Sequence, residues 1–212
     1  GGKFDWMQND KFPTMTTPYE GYHGLSFAEE FGPTAFTMKA RAEGMRDFGP
    51  CLSPQNAWNV LQGIETLSVR MQKHCSNAEK MVQYLLSHES VAWVSHPSVP
   101  DHPDHDLAKK LLPNGKGSMI AFGIHGGKEA GEAFINNVKL SSHLANVGDT
   151  RTLVIHPASS THSQMDEATL KFAGLSQDMI RLSVGIEDFD DIKNDFETGF
   201  RAARKPRLVS NQ

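Results

Sequence analysis

From Ala57 to Leu85 an apolar residue recurs every three or four positions: Ala57, Leu61, Ile64, Leu67, Met71, Cys75, Ala78, Val82 and Leu85. That spacing places all of them on one stripe of an α-helix. Ser53-Pro54 marks its start, a cap residue followed by proline at the first helical position, where a missing N–H costs nothing. About eight turns, roughly 45 Å at 1.5 Å per residue, is more than a small domain needs to cover its own core. The helix is therefore expected to link a C-terminal domain to a larger neighbour. Gly63 is its weak point, less favourable than Ala by about 1 kcal/mol.

On either side of this helix the pattern changes. The first 35 residues hold turn formers and aromatics, such as Pro13-Thr14-Met15-Thr16-Thr17-Pro18 and Gly21-Tyr22-His23-Gly24, with no sustained period, and read as a long loop. The chain opens Gly1-Gly2-Lys3 rather than with Met, and residues 1–50 are expected to be the loop-rich remainder of an upstream domain. Residues 51–88 form the linking helix, and 89–212 the C-terminal domain. Within that domain Val91 to Val94, Ser118 to Ile124, Thr152 to Ile155 and Met179 to Ile186 read as strands, separated by helical stretches around 128–137 and 166–173. A last helix starts at Asp188, with the stripe Phe189, Ile192, Phe196, Phe200 and Ala203. Asp190 and Asp191 in its first turn and Arg201, Arg204 and Lys205 at its end complement the helix macrodipole. Ser95 to Gly117, rich in Pro, His and Asp, reads as an exposed loop. The resulting class is α/β: a sandwich of one sheet with helices on one face.

Composition narrows the functional classes. With 212 residues, 38% hydrophobic and 22% charged, the chain has enough apolar surface for a packed core, unlike a disordered or collagen-like chain. The 21 basic and 25 acidic residues are interspersed and sum to −4, so no basic stripe exists to neutralise nucleic-acid phosphates or an anionic membrane. No apolar run approaches the roughly 18 residues of a membrane-spanning helix. Cys51 and Cys75 lack a C-x-x-C spacing, and free thiols in a reducing, cytoplasmic setting are expected.

Several constellations could carry chemistry. In Ile180-Arg181-Leu182-Ser183-Val184-Gly185-Ile186 the apolar residues take one strand face, leaving Arg181 between small neighbours on the other. A planar guanidinium with space beside it suits bidentate binding of a carboxylate; the alternative is a solvated sheet face. Ser159, His156 and Asp166 could be arranged as a hydrolase triad, but no Gly-x-Ser-x-Gly elbow accompanies them, and capping of a helix near Asp166 is the competing role. His96, His102 and His105 with Asp101, Asp104 and Asp106 could ligate a metal, although the prolines among them favour a solvated loop, and no metal is assigned. Gly115-Lys116-Gly117-Ser118 lacks the spacing of a phosphate loop.

The runs Gly148-Asp149-x-x-x-Leu153, His156-Pro157-Ala158-Ser159-x-Thr161-His162 and Ile180-Arg181-Leu182-Ser183-Val184-Gly185-Ile186-Glu187 resemble, in order and spacing, the C-terminal part of the pyridoxal-phosphate enzymes of cysteine and methionine metabolism. Arg46-Asp47-x-Gly49, Leu52-Ser53-Pro54, Gln62-Gly63-Ile64-Glu65-Thr66-Leu67 and His74-x-x-Asn77-Ala78 extend the resemblance over nearly the whole chain. Within the family, the extended opening Phe4-Asp5-Trp6 to Pro33, with Tyr19-x-Gly21-Tyr22-His23-Gly24, and Asn146 in place of a serine are most similar to the O-acetylhomoserine sulfhydrylase branch. The cystathionine γ-synthase, γ-lyase and methionine γ-lyase branches are the alternatives, as is a non-catalytic interaction domain.

The resemblance implies the C-terminal domain of a fold-type I transferase and replacement of acetate by sulfide in O-acetyl-L-homoserine, giving homocysteine in methionine and cysteine biosynthesis. It further implies a cytoplasmic homotetramer whose cofactor is pyridoxal 5'-phosphate. Arg181 would bind the substrate α-carboxylate, Thr161 would support it through its hydroxyl, and Asn146 and Val147 would line the same pocket. The family's Schiff-base lysine sits in a Ser-x-Thr-Lys context that this sequence lacks. On this reading no catalytic residue lies in the chain, no cofactor-binding residue is assigned within it, and the chain alone is inactive.

Overall fold

The computed structural model describes residues 2–8 and 10–204. These divide into two compact units, one up to Gln62 and one from Gly63 onward.

The first unit is not the structureless loop that its composition suggests. It folds into the short helices α1 (Pro13–Thr16), α2 (Phe27–Phe31), α3 (Ala35–Lys39) and α4 (Arg46–Phe48), with a π-helical stretch Ala40–Met45 between the last two. Each is too short to show a period, which is why the pattern is silent. A small apolar cluster of Met15, Phe27 and Ala35, with Trp6, Tyr22, Leu25 and Phe31 against it, holds them together.

Where one long helix is expected there are two, α5 (Pro54–Glu65) and α6 (Leu67–Ser87). The start is as read: Ser53 Oγ accepts Asn56 N–H at 3.2 Å ahead of Pro54. The helix divides at Thr66, whose φ of −100° and ψ of 0° make it the N-cap of α6. Arg70 turns back to donate to the carbonyl of Gly63 at 2.6 Å, satisfying an oxygen that the break frees. The apolar stripe divides too. Leu61, Ile64, Leu67 and Met71 are exposed, whereas Cys75, Ala78, Val82 and Leu85 are buried.

The second unit is built on a five-stranded sheet of order β1-β2-β5-β4-β3, comprising β1 (Val91–Ser95), β2 (Met119–Ile124), β3 (Ser142–His143), β4 (Leu153–Ile155) and β5 (Met179–Ser183). All neighbours are antiparallel except β3 and β4. Strand β3 escapes the sequence pattern because two residues carry no alternation. The segment read as a loop between β1 and β2 contains α7 (His105–Leu111). The remaining helices, α8 (Gly127–Ile135), α9 (Glu167–Phe172) and α10 (Phe189–Ala203), fall where expected. Asp166 caps α9 by accepting Thr169 N–H, and Asp188 caps α10 by accepting Asp190 N–H. Lys205, expected at the end of α10, lies outside the described residues.

One face of the sheet is covered by helices. Ile120, Phe122, Ile124, Val154, Ile180, Leu182 and Val184 pack against Met81, Val82 and Leu85 of α6, Phe134 and Ile135 of α8, and Ile192, Phe196 and Phe200 of α10. At its centre the Phe134 ring meets Phe196 edge-on at 5.2 Å and Phe122 at 6.0 Å, a geometry favoured by the ring quadrupoles. Truncating Phe134 leaves a void that β2 and α10 would have to move to fill. Phe134→Ala is expected to cost about 3–5 kcal/mol, read as a lower urea midpoint of the 212-residue chain, and a loss under about 1 kcal/mol would contradict this packing.

Candidate substrate-binding face

The side chains of β5 divide as the alternation requires. Ile180, Leu182 and Val184 are fully buried under the helices, which sends Arg181 and Ser183 to the opposite face. Arg181 lies in register with Ala121 of β2 and Ile155 of β4, and Ala121 with Ser95 of β1. Small side chains therefore leave room on the β1 and β2 side. The room expected above Gly185 is closed: a Cβ there would collide with the Glu187 carboxylate and the backbone of Thr150 and Arg151. Arg181 is half-buried, and among the described residues its guanidinium has no hydrogen-bond or ion-pair partner. A cation in that position is available to an incoming anion.

The other implied site residues lie on loops. Asn146 and Val147 are exposed, and Asn146 Oδ1 accepts Val147 N–H at 2.8 Å, a local bond that shapes the turn before Gly148. Asp149 accepts from the backbone N–H of Arg151 and grips its guanidinium at 3.1 and 3.2 Å. The Arg151 guanidinium holds the Asp149 carboxyl below the usual carboxylate range. The Thr161 hydroxyl lies 2.8 Å from His162 Nδ1, exposed and with no bond to Arg181 among the described residues. The geometry thus displays Arg181 on the sheet while Thr161 stands on one loop and Asn146 and Val147 on another.

The competing constellations are occupied otherwise. His156 is buried, with Nε2 2.8 Å from the Gln177 carbonyl and Nδ1 2.8 Å from Ser159 Oγ. Its Nε2–H donates to that carbonyl, leaving Nδ1 to accept the hydroxyl, while Asp166 is committed to capping α9. No triad is assembled. His96 bonds Ser98, His102 accepts Asp104 N–H, and His105 Nδ1–H donates to the Pro97 carbonyl. These histidines cap turns, and among the described residues no cluster of three His, Cys, Asp or Glu could hold a metal.

His74 and Asn77 belong to the motifs that carry the family resemblance, yet sequence reasoning gives them no role; both are fully buried on α6. His74 Nδ1–H donates to the Val184 carbonyl at 2.6 Å, and Asn77 Nδ2 donates to the carbonyls of Gly185 at 3.0 Å and Glu187 at 2.9 Å. The available signal was two polar residues three apart within an apolar stripe, since a buried polar group needs a partner.

Residues 21–201 match the family model of the Cys/Met metabolism PLP-dependent enzymes. The chain belongs to that family. It is 50% identical over 193 residues to O-acetyl-L-homoserine sulfhydrylase 1 of Thermus thermophilus, covering 91% of this chain and 46% of that protein. It is 48% identical over 206 residues to O-acetyl-L-homoserine sulfhydrylase of Corynebacterium glutamicum, covering 95% and 47%. A Campylobacter jejuni protein described as an O-acetylhomoserine (thiol)-lyase, solved with N'-pyridoxyl-lysine-5'-monophosphate, matches with a TM-score of 0.78 and 37% identity over 92% of this chain and 46% of that one. The chain spans about half the length of the curated relatives it matches.

Pyridoxal phosphate is the cofactor of the family. None of the described lysines here is buried, and none occupies a Ser-x-Thr-Lys context. The residues present do not by themselves fit the cofactor; they offer the guanidinium of Arg181, which has no partner among the described residues.

Burial holds the imidazoles of His88, His96 and His156 below their usual range. The unfolded chain therefore binds more protons than the folded one between those lowered values and about 6.5. Stability is full above that window and falls as pH drops through it. The urea midpoint should be lower at pH 5.5 than at pH 7.5, and an equal or higher midpoint at pH 5.5 would contradict the sign.

Proposed function

We propose that the complete protein containing this chain is an O-acetylhomoserine sulfhydrylase. It replaces the acetate of O-acetyl-L-homoserine by sulfide, releasing homocysteine and acetate, and Arg181 binds the α-carboxylate of the amino-acid substrate. The observation that carries this reading is the Arg181 guanidinium, half-buried on the face of β5 opposite the helices and without a partner among the described residues. Relatives at 48–50% identity that bear the sulfhydrylase name support it.

In this reading the planar guanidinium takes the carboxylate in two parallel bonds and fixes the orientation of the substrate. Asn146 and Val147 border the same pocket, and the Thr161 hydroxyl turns from His162 to support Arg181. Pyridoxal phosphate, when bound, supplies the electron sink for chemistry next to the amino-bearing carbon. Residues 1–50 belong to the larger cofactor-binding part, 51–88 link it to the C-terminal domain, and 89–212 form that domain. The protein works as a cytoplasmic homotetramer, with the exposed Trp58, Leu61 and Ile64 of α5 supplying apolar surface for association.

Removing one partner of a partly desolvated guanidinium–carboxylate pair costs on the order of 2–4 kcal/mol, so Arg181→Ala in the full-length enzyme should lower kcat/KM roughly 30- to 1000-fold. Arg181→Lys should recover only part of the loss, because an ammonium lacks the planar fork. Cofactor absorbance should be unchanged. A kcat/KM within about threefold of wild type, below roughly 0.7 kcal/mol, would show that the carboxylate binds elsewhere.

A further inference from the structure

The β4–β5 ladder ends at the pair Leu153 and Ser183, yet the two chains stay joined beyond it by side chains. Glu187 folds back so that Oε1 accepts Thr152 N–H at 2.6 Å and Oε2 accepts the Thr152 hydroxyl at 2.9 Å. Thr152 Oγ1 accepts Gly185 N–H at 2.9 Å, and Ile186 N–H donates to the Thr150 carbonyl at 2.8 Å. Thr152 is fully buried and Glu187 partly so, and both bonds from the Thr152 N–H and hydroxyl end on the carboxylate, which makes them charge-assisted and strong. The glycine at 185 is required because any Cβ would occupy the place of that carboxylate. From the other side, Asn77 holds the Glu187 carbonyl, so the backbone carrying the carboxylate is itself fixed.

Thr152 also governs the loop that bears Asn146 and Val147. Its carbonyl accepts Ser142 N–H at 2.9 Å, and Ser142 pairs with Leu153 in the parallel β3–β4 contact. The loop 144–151 therefore leaves the sheet from β3 and returns at Thr152, the residue that the carboxylate holds and that also bonds Ser142 of β3, just before the loop. The same carboxylate sits six residues beyond Arg181 on the chain continuing from β5.

We propose that Glu187 is a positioning residue: through Thr152 it sets the 144–151 loop against the strand carrying Arg181, and so tunes affinity for the amino-acid substrate. This rests on the carboxylate-binding reading of Arg181. An uncharged Glu187→Gln side chain keeps the shape but loses the charge that both Thr152 donors share. Thr152→Val removes the hydroxyl at constant volume, and Thr152→Ser retains it.

The test is steady-state kinetics of the full-length holoenzyme with O-acetyl-L-homoserine. Glu187→Gln and Thr152→Val should raise KM roughly 5- to 30-fold with kcat within about twofold, and Thr152→Ser should stay within about twofold in both. A merely structural role would lower the active fraction, and hence apparent kcat, without moving KM. That result, or failure of both Glu187→Gln and Thr152→Val to fold, would overturn the proposal. Arg181→Ala is measured alongside. If it raises KM while Glu187→Gln does not, only the positioning role falls; if Arg181→Ala leaves KM unchanged, the carboxylate reading falls first.

Discussion

Three backbone carbonyls at the end of β5 decide how this domain is put together. Val184, Gly185 and Glu187 leave the sheet where no strand remains to pair with them, and buried carbonyls without donors are costly. Helix α6 supplies the donors through His74 and Asn77, and those bonds fix the helix on the sheet as directly as the apolar contacts of Met81, Val82 and Leu85 do. With α6 in place, one sheet face is closed to water and the other is left to present Arg181. Placing Arg181 on the face opposite the helices is the physical basis of the proposed site.

The face bearing Arg181 is economical in its chemistry. Arg181 sits between Ala121 and Ile155, so the side chain has little to bind within the chain. Glu187, six residues further along the chain, is taken up by Thr152. Asp149 is likewise spent on Arg151. Both of these acids thus have partners of their own, and among the described residues no anion competes for the guanidinium, as the proposed carboxylate reading requires.

Much of this was legible in the sequence, for identifiable reasons. The strict alternation around Arg181 required a two-faced strand, and the cap residues Ser53, Asp166 and Asp188 marked helix starts through local bonds. What stayed hidden depends on contacts distant along the chain or on elements too short to show a period. Strand β3 has two residues, and helices α1 to α4 run three to five. The break at Thr66 is made good by Arg70 reaching seven residues back, which no apolar pattern records. Glu187 read as the end of a motif, and its bonds to Thr152 span 35 residues.

The account stands most directly on what Arg181 recognises. The decisive measurement compares binding to the full-length holoenzyme of an α-amino acid substrate analogue and of the same analogue with its α-carboxylate converted to the neutral carboxamide. Wild type should prefer the carboxylate by roughly 30-fold or more, and Arg181→Ala should bind the two within about threefold of each other. Equal binding of both analogues by wild type, or a preference that survives in Arg181→Ala, would contradict the account.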